Sequence, residues 1–315
     1  MKRLLLSIIV LSLIFLIGIY WFIPGTISFS KVVIIQTKMP VAIRFLLDKN
    51  QWGQWFPGTL ENNSTTPDDK IYMYNGYDYS IQKKMMNAAG ASISNKQISL
   101  NSLITMISIN SDSIGIEWKS EMPETANPVY KIKNYLTAKK LQNNMADILS
   151  HLKLFLEQKD KVYGIHLHEI ISKDSTLIAT KCVTKTYPAT TDIYHLISVL
   201  KKYIISQGAK ENNSPMLHVN KINDTTFESM VAIPVNKALR GNDSIFIKRF
   251  VPWKVLTAEV KGGTYTVNKA LRQMAIYVTD YHREAMAIPF QSLVTDRSKQ
   301  PDTLQWITRV YTPVK

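Results

Sequence analysis

The chain has 315 residues, a formal net charge of +14 and 45% hydrophobic residues. This length and composition allow two ordinary domains, each with its own core, and exclude a fibrous or wholly disordered chain. A single cysteine, Cys182, excludes an intrachain disulfide. The lysines are scattered, and the chain has no interleaved Arg/aromatic patch of the kind that follows a nucleic-acid backbone, so we expect no nucleic-acid partner.

The N-terminus carries an almost unbroken apolar run, from Leu4 to Ile23, that follows two basic residues and stops at Pro24. About 20 residues at ~1.5 Å rise cover the ~30 Å core of a bilayer, so residues 1–25 are predicted to be a transmembrane signal anchor. The aromatic end, Tyr20–Phe22, is typical of the headgroup interface, whereas a cleaved signal peptide, the alternative, needs small residues there. The positive-inside rule then predicts a single-pass protein of the inner (cytoplasmic) membrane with its remaining residues on the periplasmic side.

The next region opens with a strand, a short helix and an aromatic segment, at Ile27–Thr37, Pro40–Asp48 and Trp52–Pro57. Short β-branched and aromatic runs, broken by Gly, Asn and Asp, then predict an antiparallel meander. These runs are Ile71–Tyr74, Tyr79–Met85, Ala91–Ile98, Leu103–Ser108, Ile114–Lys119 and Val129–Tyr135. Apolar residues at helical spacing predict a closing helix from near Thr137 to Gln158, whose apolar stripe packs on the sheet.

This order of elements resembles the START-like helix-grip proteins, the polyketide cyclase and lipid-transport superfamily. The opening strand with Thr37–Val41, the Trp52–Pro57 segment and the closing helix carry the resemblance. It implies a helix-grip domain over residues 26–159, with a ligand cavity between sheet and helix. Trp52 and Trp55 are interpreted as packing residues at the helix-to-sheet corner, with a cavity-lining role as the alternative.

The second half of the chain contains an internal repeat of a strand, a helix and two strands. The first copy is Thr176–Tyr187, Thr190–Gln207, Met216–Ile222 and Thr226–Val235, and the second is Trp253–Val260, Thr264–Tyr281, Ser292–Thr295 and Leu304–Tyr311. Two such copies predict one antiparallel sheet with two helices on one face. A ligand then has either the open face or the cleft between the copies available. The fold class predicted for the chain is α+β: an N-terminal transmembrane helix, a helix-grip antiparallel sheet domain and a duplicated strand-helix-strand-strand domain.

Three segments of this half, Val231–Val235, Val260–Tyr265 and Ile288–Val314, resemble the GyrI-like small-molecule-binding domain, the effector-binding domain of AraC-type regulators. The resemblance implies an effector-binding domain over residues 160–315. In the family, the closing run carries a Glu, two residues before a Tyr, that faces cationic ligands or performs hydrolysis. The matching positions here are Gln291 and Leu293. Because an amide neither neutralises a cation nor acts as a general base, the match favours the fold rather than those roles.

Aromatic and polar residues near the predicted strands are the ligand-binding candidates, because apolar pockets with a few polar groups are built from such side chains. The candidates are Phe227, Glu228, Trp253, Tyr265, Gln291 and Tyr311. Core packing is the alternative for each aromatic residue. His166 and His168 have the spacing of metal ligands on a strand, but no third ligand follows at motif spacing, so we expect no metal site.

The function expected from the sequence is that of a membrane-anchored, non-catalytic protein that binds apolar or weakly polar small molecules. Its partners are then a small-molecule ligand and the membrane, whose anionic headgroups would attract the basic chain at short range. We expect no cofactor and no catalytic residue, and the sequence identifies no protein partner. The alternative is a hydrolase or cyclase that uses Glu228 or Glu259 with Tyr265 in the GyrI-like pocket.

Overall fold

A computed structural model describes residues 2–61, 70–173 and 175–315, with the side chains of residues 2–5 and 15 excluded. The chain divides into two compact units, Met1–Gln158 and Lys159–Lys315. Within the described residues, one unit holds a seven-stranded sheet and the other an eight-stranded sheet, and the strand pairs are antiparallel. The predicted α+β class with antiparallel sheets is confirmed.

The first unit contains three helices and seven strands among the described residues. They are α1 (Lys2–Phe22), β1 (Ile27–Ile35), α2 (Met39–Leu47), β2 (Thr59–Leu60), β3 (Tyr72–Tyr74), β4 (Tyr77–Lys84), β5 (Ala88–Ser94), β6 (Ser99–Asn110), β7 (Ser113–Met122) and α3 (Pro128–Leu156). The strand order is β1-β7-β6-β5-β4-β3-β2. The β3–β4 hairpin turns at Asn75 and Gly76, whose φ angles of 51° and 81° fit a two-residue turn that requires left-handed backbone.

Helix α1 contacts the start of α3 near its own C-terminal end. Ile19 is buried, the Tyr20 hydroxyl donates a hydrogen bond to the Ala126 carbonyl oxygen, and the Lys131 ammonium lies 4.8 Å from the Tyr20 ring centroid. Most other described apolar side chains of α1, such as Leu11, are exposed. Among the residues that the structure describes, no helix is both long and apolar enough to cross a membrane, so the predicted transmembrane helix lacks structural support.

The predicted strand Val129–Tyr135 is wrong, because these residues form the first turns of α3. The side-chain oxygen of Asn127 accepts hydrogen bonds from the backbone N–H groups of Val129 and Tyr130, and Pro128 occupies the first helical turn. This is a strong N-terminal cap, and it starts the helix well before Thr137. The cap outweighs the β-branched and aromatic composition of the segment.

Trp52 and Trp55 pack in the interior of the first unit, as the sequence predicted. The Trp52 indole donates a hydrogen bond of 2.8 Å to the Leu46 carbonyl oxygen, and the Trp55 indole donates one of 3.1 Å to that of Phe45. Phe56 stacks on Trp52 with ring centroids 5.2 Å apart. Together with other fully buried side chains, these rings form part of the core of the first unit. The largest of those side chains are Trp52, Trp118, Tyr79, Ile35, Leu46, Ile93, Ile104, Met106, Ile114, Ile116, Leu141 and Met145.

The second unit contains three helices and eight strands among its described residues. They are α4 (Lys159–Tyr163), β8 (His168–Ile171), β9 (Ser175–Thr184), α5 (Thr190–Ser206), β10 (Met216–Asn223), β11 (Thr226–Val235), β12 (Phe246–Phe250), β13 (Lys254–Lys261), α6 (Thr264–Asp280), β14 (Phe290–Leu293) and β15 (Ile307–Pro313). The strand order is β12-β9-β11-β10-β14-β15-β13-β8. The copies β9-α5-β10-β11 and β13-α6-β14-β15 therefore meet at the β10–β14 pair, which is the duplicated architecture that the sequence predicted.

The two faces of this sheet differ in what covers them. On the face that α5 covers, hereafter the covered face, Ile178, Leu217, Val231, Ile233 and Leu293 join the apolar residues of α5 in one core. The alternate residues of the same strands lie on the opposite face, hereafter the open face, because successive side chains of a strand point to opposite sides. A smaller cluster on the open face comprises Leu177, Ala179 and Ala232, with Met216, Phe246 and Phe250 packed against it.

Candidate ligand-binding site

The open face carries an apolar cavity of about 210 Å³, hereafter the open-face pocket. Strands β9, β10, β11, β12 and β14 each contribute to it, and residues 287 and 288 close one side. Its lining residues are Leu177, Met216, Leu217, His218, Met230, Ala232, Lys248, Arg249, Phe250, Ala287, Ile288 and Phe290. Apart from His218, Lys248 and Arg249, these side chains are apolar. Such a pocket can bind an apolar group, with its polar side chains available to the more polar part of a ligand.

A second depression of about 470 Å³ adjoins the open-face pocket and shares four residues with it, His218, Met230, Lys248 and Ile288. Lys181, Asn220, Glu228 and Phe246 complete its lining. The lining is thus more polar than that of the open-face pocket. A ligand can therefore bury an apolar part against Met230 and extend a polar part along the neighbouring strands.

Three aromatic rings form a continuous cluster at the open-face pocket. Phe290 of β14 lies directly opposite Tyr311 of β15, and their rings stack with centroids 4.9 Å apart and planes 15° from parallel. Phe250 of β12 meets Phe290 edge-on, at 5.6 Å and 87°. Stacked and edge-to-face pairs of this kind stabilise one another beyond their buried area. Phe250 and Phe290 therefore give the pocket an aromatic wall, and Tyr311 packs on Phe290 from outside the lining.

The polar groups of this site have defined partners. The His218 Nδ1 atom lies 2.7 Å from the Pro289 carbonyl oxygen, which can only accept, so Nδ1 carries the proton. In the neutral ring, Nε2 is then the nitrogen that can accept a hydrogen bond from a ligand. The Glu228 carboxylate pairs with the Lys181 ammonium at 2.9 Å.

The covered face holds a second cluster, built around Arg297 in the loop between β14 and β15. The Arg297 Nη2 atom donates hydrogen bonds to Gln291 Oε1 at 3.2 Å and to Thr308 Oγ1 at 2.8 Å. Its guanidinium lies 4.7 Å from the Trp306 ring centroid. The backbone N–H of Arg297 donates to the Tyr194 hydroxyl of α5 at 2.6 Å. Burial lowers the pKa of Arg297 below its ordinary value.

The six predicted ligand-binding residues do not come together in one site. Tyr311 and Glu228 lie on the open face, where they flank the open-face pocket, whereas Phe227 and Gln291 lie on the covered face. Tyr265 is on α6 with 75% of its surface exposed, and Trp253 precedes β13 and is also exposed. Their roles as one group stay a prediction that the structure does not support.

Sequence reasoning missed Phe290, Met216, Met230 and Arg297 as site residues. Phe290 begins β14, but the sequence predicted this strand at Ser292–Thr295 and so placed Phe290 outside the sheet. An aromatic residue directly after Pro289 was the available signal. Arg297 lies in a loop with no periodic pattern, so no sequence signal predicts its burial.

The residues named for the hydrolase or cyclase alternative are also separated. Glu259 pairs with Arg309 at 2.9 Å, and Glu228 pairs with Lys181. Both carboxylates lie on the open face, whereas Tyr265 lies on α6, a helix of the covered face. No carboxylate–tyrosine pair of the predicted kind forms. Across residues 2–61, 70–173 and 175–315, no cluster of three or more metal-ligating side chains is found. His166 and His168 lie side by side, and His166 bonds to Asp160.

No protein-family model matches the sequence, and no curated protein matches it. Solved structures with a similar fold include EcmrR in the EcmrR–DNA complex of EcmrR-RPo, with 17% identity and a TM-score of 0.44 over 59% of this chain and 72% of that chain. The EcmrR C-terminal domain has 13% identity and a TM-score of 0.42, and the match covers 48% of this chain and 98% of that chain. SAV2435 bound to tetraphenylphosphonium has 15% identity and a TM-score of 0.31, and the match covers 48% of this chain and 94% of that chain. At these scores, the similarities establish neither a family nor a function for this chain, and the expected lack of a nucleic-acid partner stays a prediction.

Proposed function

We propose that the second unit binds an apolar or weakly polar small molecule in the open-face pocket, without catalysing a reaction. The observation that carries the proposal is the apolar cavity lined by Phe250 and Phe290, with Tyr311 stacked on Phe290. Methionine side chains at Met216 and Met230 form its floor, and methionine adapts to ligands of varied shape because it is unbranched and polarisable.

The size of the cavity sets the kind of ligand. Pockets for small molecules typically enclose about 300–1,000 Å³. The open-face pocket alone is smaller, at about 210 Å³, but it continues into the depression of about 470 Å³. We infer a ligand with one ring-sized apolar part against Phe250 and Phe290 and a longer part that passes Met230. Each 100 Å² of apolar surface that such a ligand buries contributes about 2.5 kcal/mol.

The test is the binding of N-phenyl-1-naphthylamine, a neutral probe whose fluorescence rises in apolar sites. Met230→Lys places a charge in the shared floor of both depressions, so we expect its affinity for the probe to fall at least tenfold. Leu304→Lys is the matched control, because Leu304 is 71% exposed and outside the pocket lining. Equal affinity in the native protein and Met230→Lys would contradict the proposal.

We also propose that α1 attaches the chain to the inner membrane, with both units on the periplasmic side. The apolar run Leu4–Ile23 supports this location, as do the exposed apolar side chains along α1. Leu11 is 72% exposed near the middle of α1, and an arginine at the centre of an inserted helix costs about 3 kcal/mol.

Membrane retention after alkaline carbonate extraction tests this location. We expect Leu11→Arg to release a large fraction of the chain into the supernatant, while the matched Leu304→Arg stays with the membrane. A native chain recovered wholly in the supernatant would contradict the attachment. A reporter fused after Lys315 then reads out the side of the membrane.

A further inference from the structure

Arg297 is a buried cation without a carboxylate partner. Only 7% of its surface is exposed, and its hydrogen-bond acceptors, Gln291 and Thr308, are neutral. Among the described residues, no Asp or Glu forms an ion pair with it. Burying an unpaired charge is costly, because the dipoles of neutral side chains replace its hydration incompletely. The second unit therefore maintains a desolvated positive charge that its own side chains do not neutralise.

The hydrogen-bond capacity of this guanidinium is also incomplete. The Nε atom of Arg297 is buried and has no hydrogen-bond partner. The Nε and Nη2 groups form one edge of the guanidinium, and a carboxylate binds such an edge through two parallel hydrogen bonds. Nη2 reaches Gln291 at the long distance of 3.2 Å. A carboxylate on this edge would bond to Nε and would compete with Gln291 or Thr308 for Nη2.

A second unpaired polar atom lies on the same face. In the part of the chain that the structure describes, the buried side-chain atoms without a hydrogen-bond partner are Arg297 Nε and Ser229 Oγ. Ser229 on β11 and Gln291 on β14 lie on either side of β10. Ser229 pairs with Val219 of β10, and Gln291 pairs with Leu217, two residues earlier on the same strand. Strand geometry puts their backbones roughly 12 Å apart. The covered face therefore holds both of these unsatisfied atoms.

An aromatic pair, Tyr187 and Phe227, lies on the covered face, and Tyr187 interacts electrostatically with Arg297. Tyr187, in the loop between β9 and α5, meets Phe227 edge-on at 5.8 Å, and its hydroxyl interacts with Asn268 of α6. Tyr187 remains 36% exposed, so this aromatic pair is open to solvent on one side. Burial raises the pKa of the Tyr187 hydroxyl above its ordinary value, and the bond to Asn268 and the positive charge of Arg297 oppose this shift. A ligand that enters past Tyr187 would meet rings first and the guanidinium behind them.

From the buried charge, the free Nε and the aromatic approach, we propose that the cluster around Arg297 is a binding site for the carboxylate of an amphiphilic organic anion. This site is separate from the open-face pocket, since it lies on the covered face of the sheet. Binding supplies the counter-charge that the chain lacks and satisfies Nε. The aromatic side chains of Tyr187 and Phe227 contact the apolar part of the anion.

The experiment compares two probes of equal shape, 2-naphthoate and the neutral 2-naphthamide, by isothermal titration calorimetry of the full chain at pH 7. We expect the native protein to bind 2-naphthoate at least tenfold more tightly than 2-naphthamide. Arg297→Gln should abolish this preference, while Arg272→Gln, at an exposed arginine of α6, should retain it. Lys248 and Arg249 at the open-face pocket can also favour the anionic probe, so the part of the preference that Arg297→Gln removes is what reports on the Arg297 site.

Gln291→Glu tests the same site without removing the arginine. The new carboxylate lies next to Arg297 and supplies the counter-charge from within the chain, so we expect a higher Tm and an affinity for 2-naphthoate at least tenfold lower. This variant decides the question if Arg297→Gln does not fold. Equal affinities of the native protein for the two probes, undetectable binding of 2-naphthoate, or undiminished binding to Gln291→Glu would each overturn the proposal.

Discussion

Phe290 stacks on Tyr311 across the β14–β15 pair, with ring centroids 4.9 Å apart and ring planes 15° from parallel. The pairing register fixes this contact, because the two residues lie directly opposite each other on the same face of the sheet. The stack joins two strands of the second copy, and its Phe290 ring also lines the open-face pocket. The stability of this unit and the proposed ligand site therefore share the Phe290 ring.

Phe290→Ala should lower both properties. We expect the free energy of unfolding to fall by about 2 kcal/mol, since a half-buried ring and its aromatic contacts with Tyr311 and Phe250 are lost. Urea denaturation measures this change, and titration with N-phenyl-1-naphthylamine measures the accompanying loss of affinity. Tyr311→Phe is the control, because it keeps the ring stack and should change either quantity little. A Phe290→Ala variant with native probe affinity would show that the ring is not part of the site.

The elements of the repeat could be predicted from local sequence patterns, whereas the edges of its sheet could not. The structure places α5 at Thr190–Ser206 and β11 at Thr226–Val235, where helical spacing and β-branched runs predicted them. The outer strands β8 (His168–Ile171) and β12 (Phe246–Phe250) were missed. Both are short and largely exposed, so tertiary pairing with β13 and β9, rather than local hydrophobic alternation, makes them strands.

The candidate sites were less accessible to sequence reasoning than the fold. Which face a strand residue occupies depends on its register, and a shift of one residue reverses the face. The sequence placed β14 two residues late and thus gave no reason to group Phe290 with Tyr311. It also grouped Gln291 with Tyr311, although these side chains lie on opposite faces. The burial of Arg297 results from a loop folding onto the covered face, which no periodic pattern records.

A buried polar network in the first unit offers a test of its packing. The Asn144 amide of α3 donates to the Tyr79 hydroxyl at 3.1 Å, and the Asn75 side chain donates to the Asn144 oxygen at 3.0 Å. Burial raises the pKa of Tyr79 above its ordinary range. Asn144→Ala leaves the buried hydroxyl unpaired, so we expect a loss of about 2 kcal/mol.

Removing the hydroxyl as well should recover part of that loss. We expect the double variant Tyr79→Phe/Asn144→Ala to be about 1 kcal/mol more stable than the sum of the two single effects predicts. Urea denaturation of the four proteins completes the cycle. Additive effects would mean that the Tyr79 hydroxyl has another source of stabilisation.

The N-terminal cap of α3 accounts for the failure of the strand prediction at Val129–Tyr135. Asn127→Ala removes the acceptor of the hydrogen bonds from Val129 and Tyr130, so we expect a destabilisation of about 1 kcal/mol. Asn127→Ser is the matched control, because serine also caps helices and should cost only a few tenths of a kcal/mol. Thermal unfolding by circular dichroism at 222 nm measures both, and equal Tm values for Ala and Ser would argue against the cap.

The pair of Glu169 and Arg283 predicts a specific pH dependence. The hydrogen bond from the Arg283 guanidinium holds the pKa of Glu169 below its ordinary value of 4.5. A carboxylate with a depressed pKa stabilises the fold above its unfolded pKa and loses that contribution as the pH falls through its folded pKa. The side chain of Glu169 is 40% exposed, so we expect a contribution below about 1 kcal/mol.

Urea midpoints of the native protein and Glu169→Gln should therefore differ at pH 7 and converge as the pH falls below about 4. Glu284→Gln is the control, since the Glu284 carboxylate is 73% exposed and lies 3.9 Å from the Lys315 ammonium. It should shift the midpoint little at either pH. If the difference between the urea midpoints of the native protein and Glu169→Gln instead grew as the pH fell, the Glu169–Arg283 pair would not be its cause.

Methyl NMR of the methionine residues tests the binding proposal most directly. The chain has 12 methionines, of which Met216 and Met230 line the open-face pocket and Met274 is fully buried on α6. With ¹³C-methyl-methionine and N-phenyl-1-naphthylamine, we predict saturable shifts at Met216 and Met230 and an unchanged Met274 resonance. Shifts confined to other methionines, or none at Met216 and Met230 at saturating probe, would contradict ligand binding at the open face.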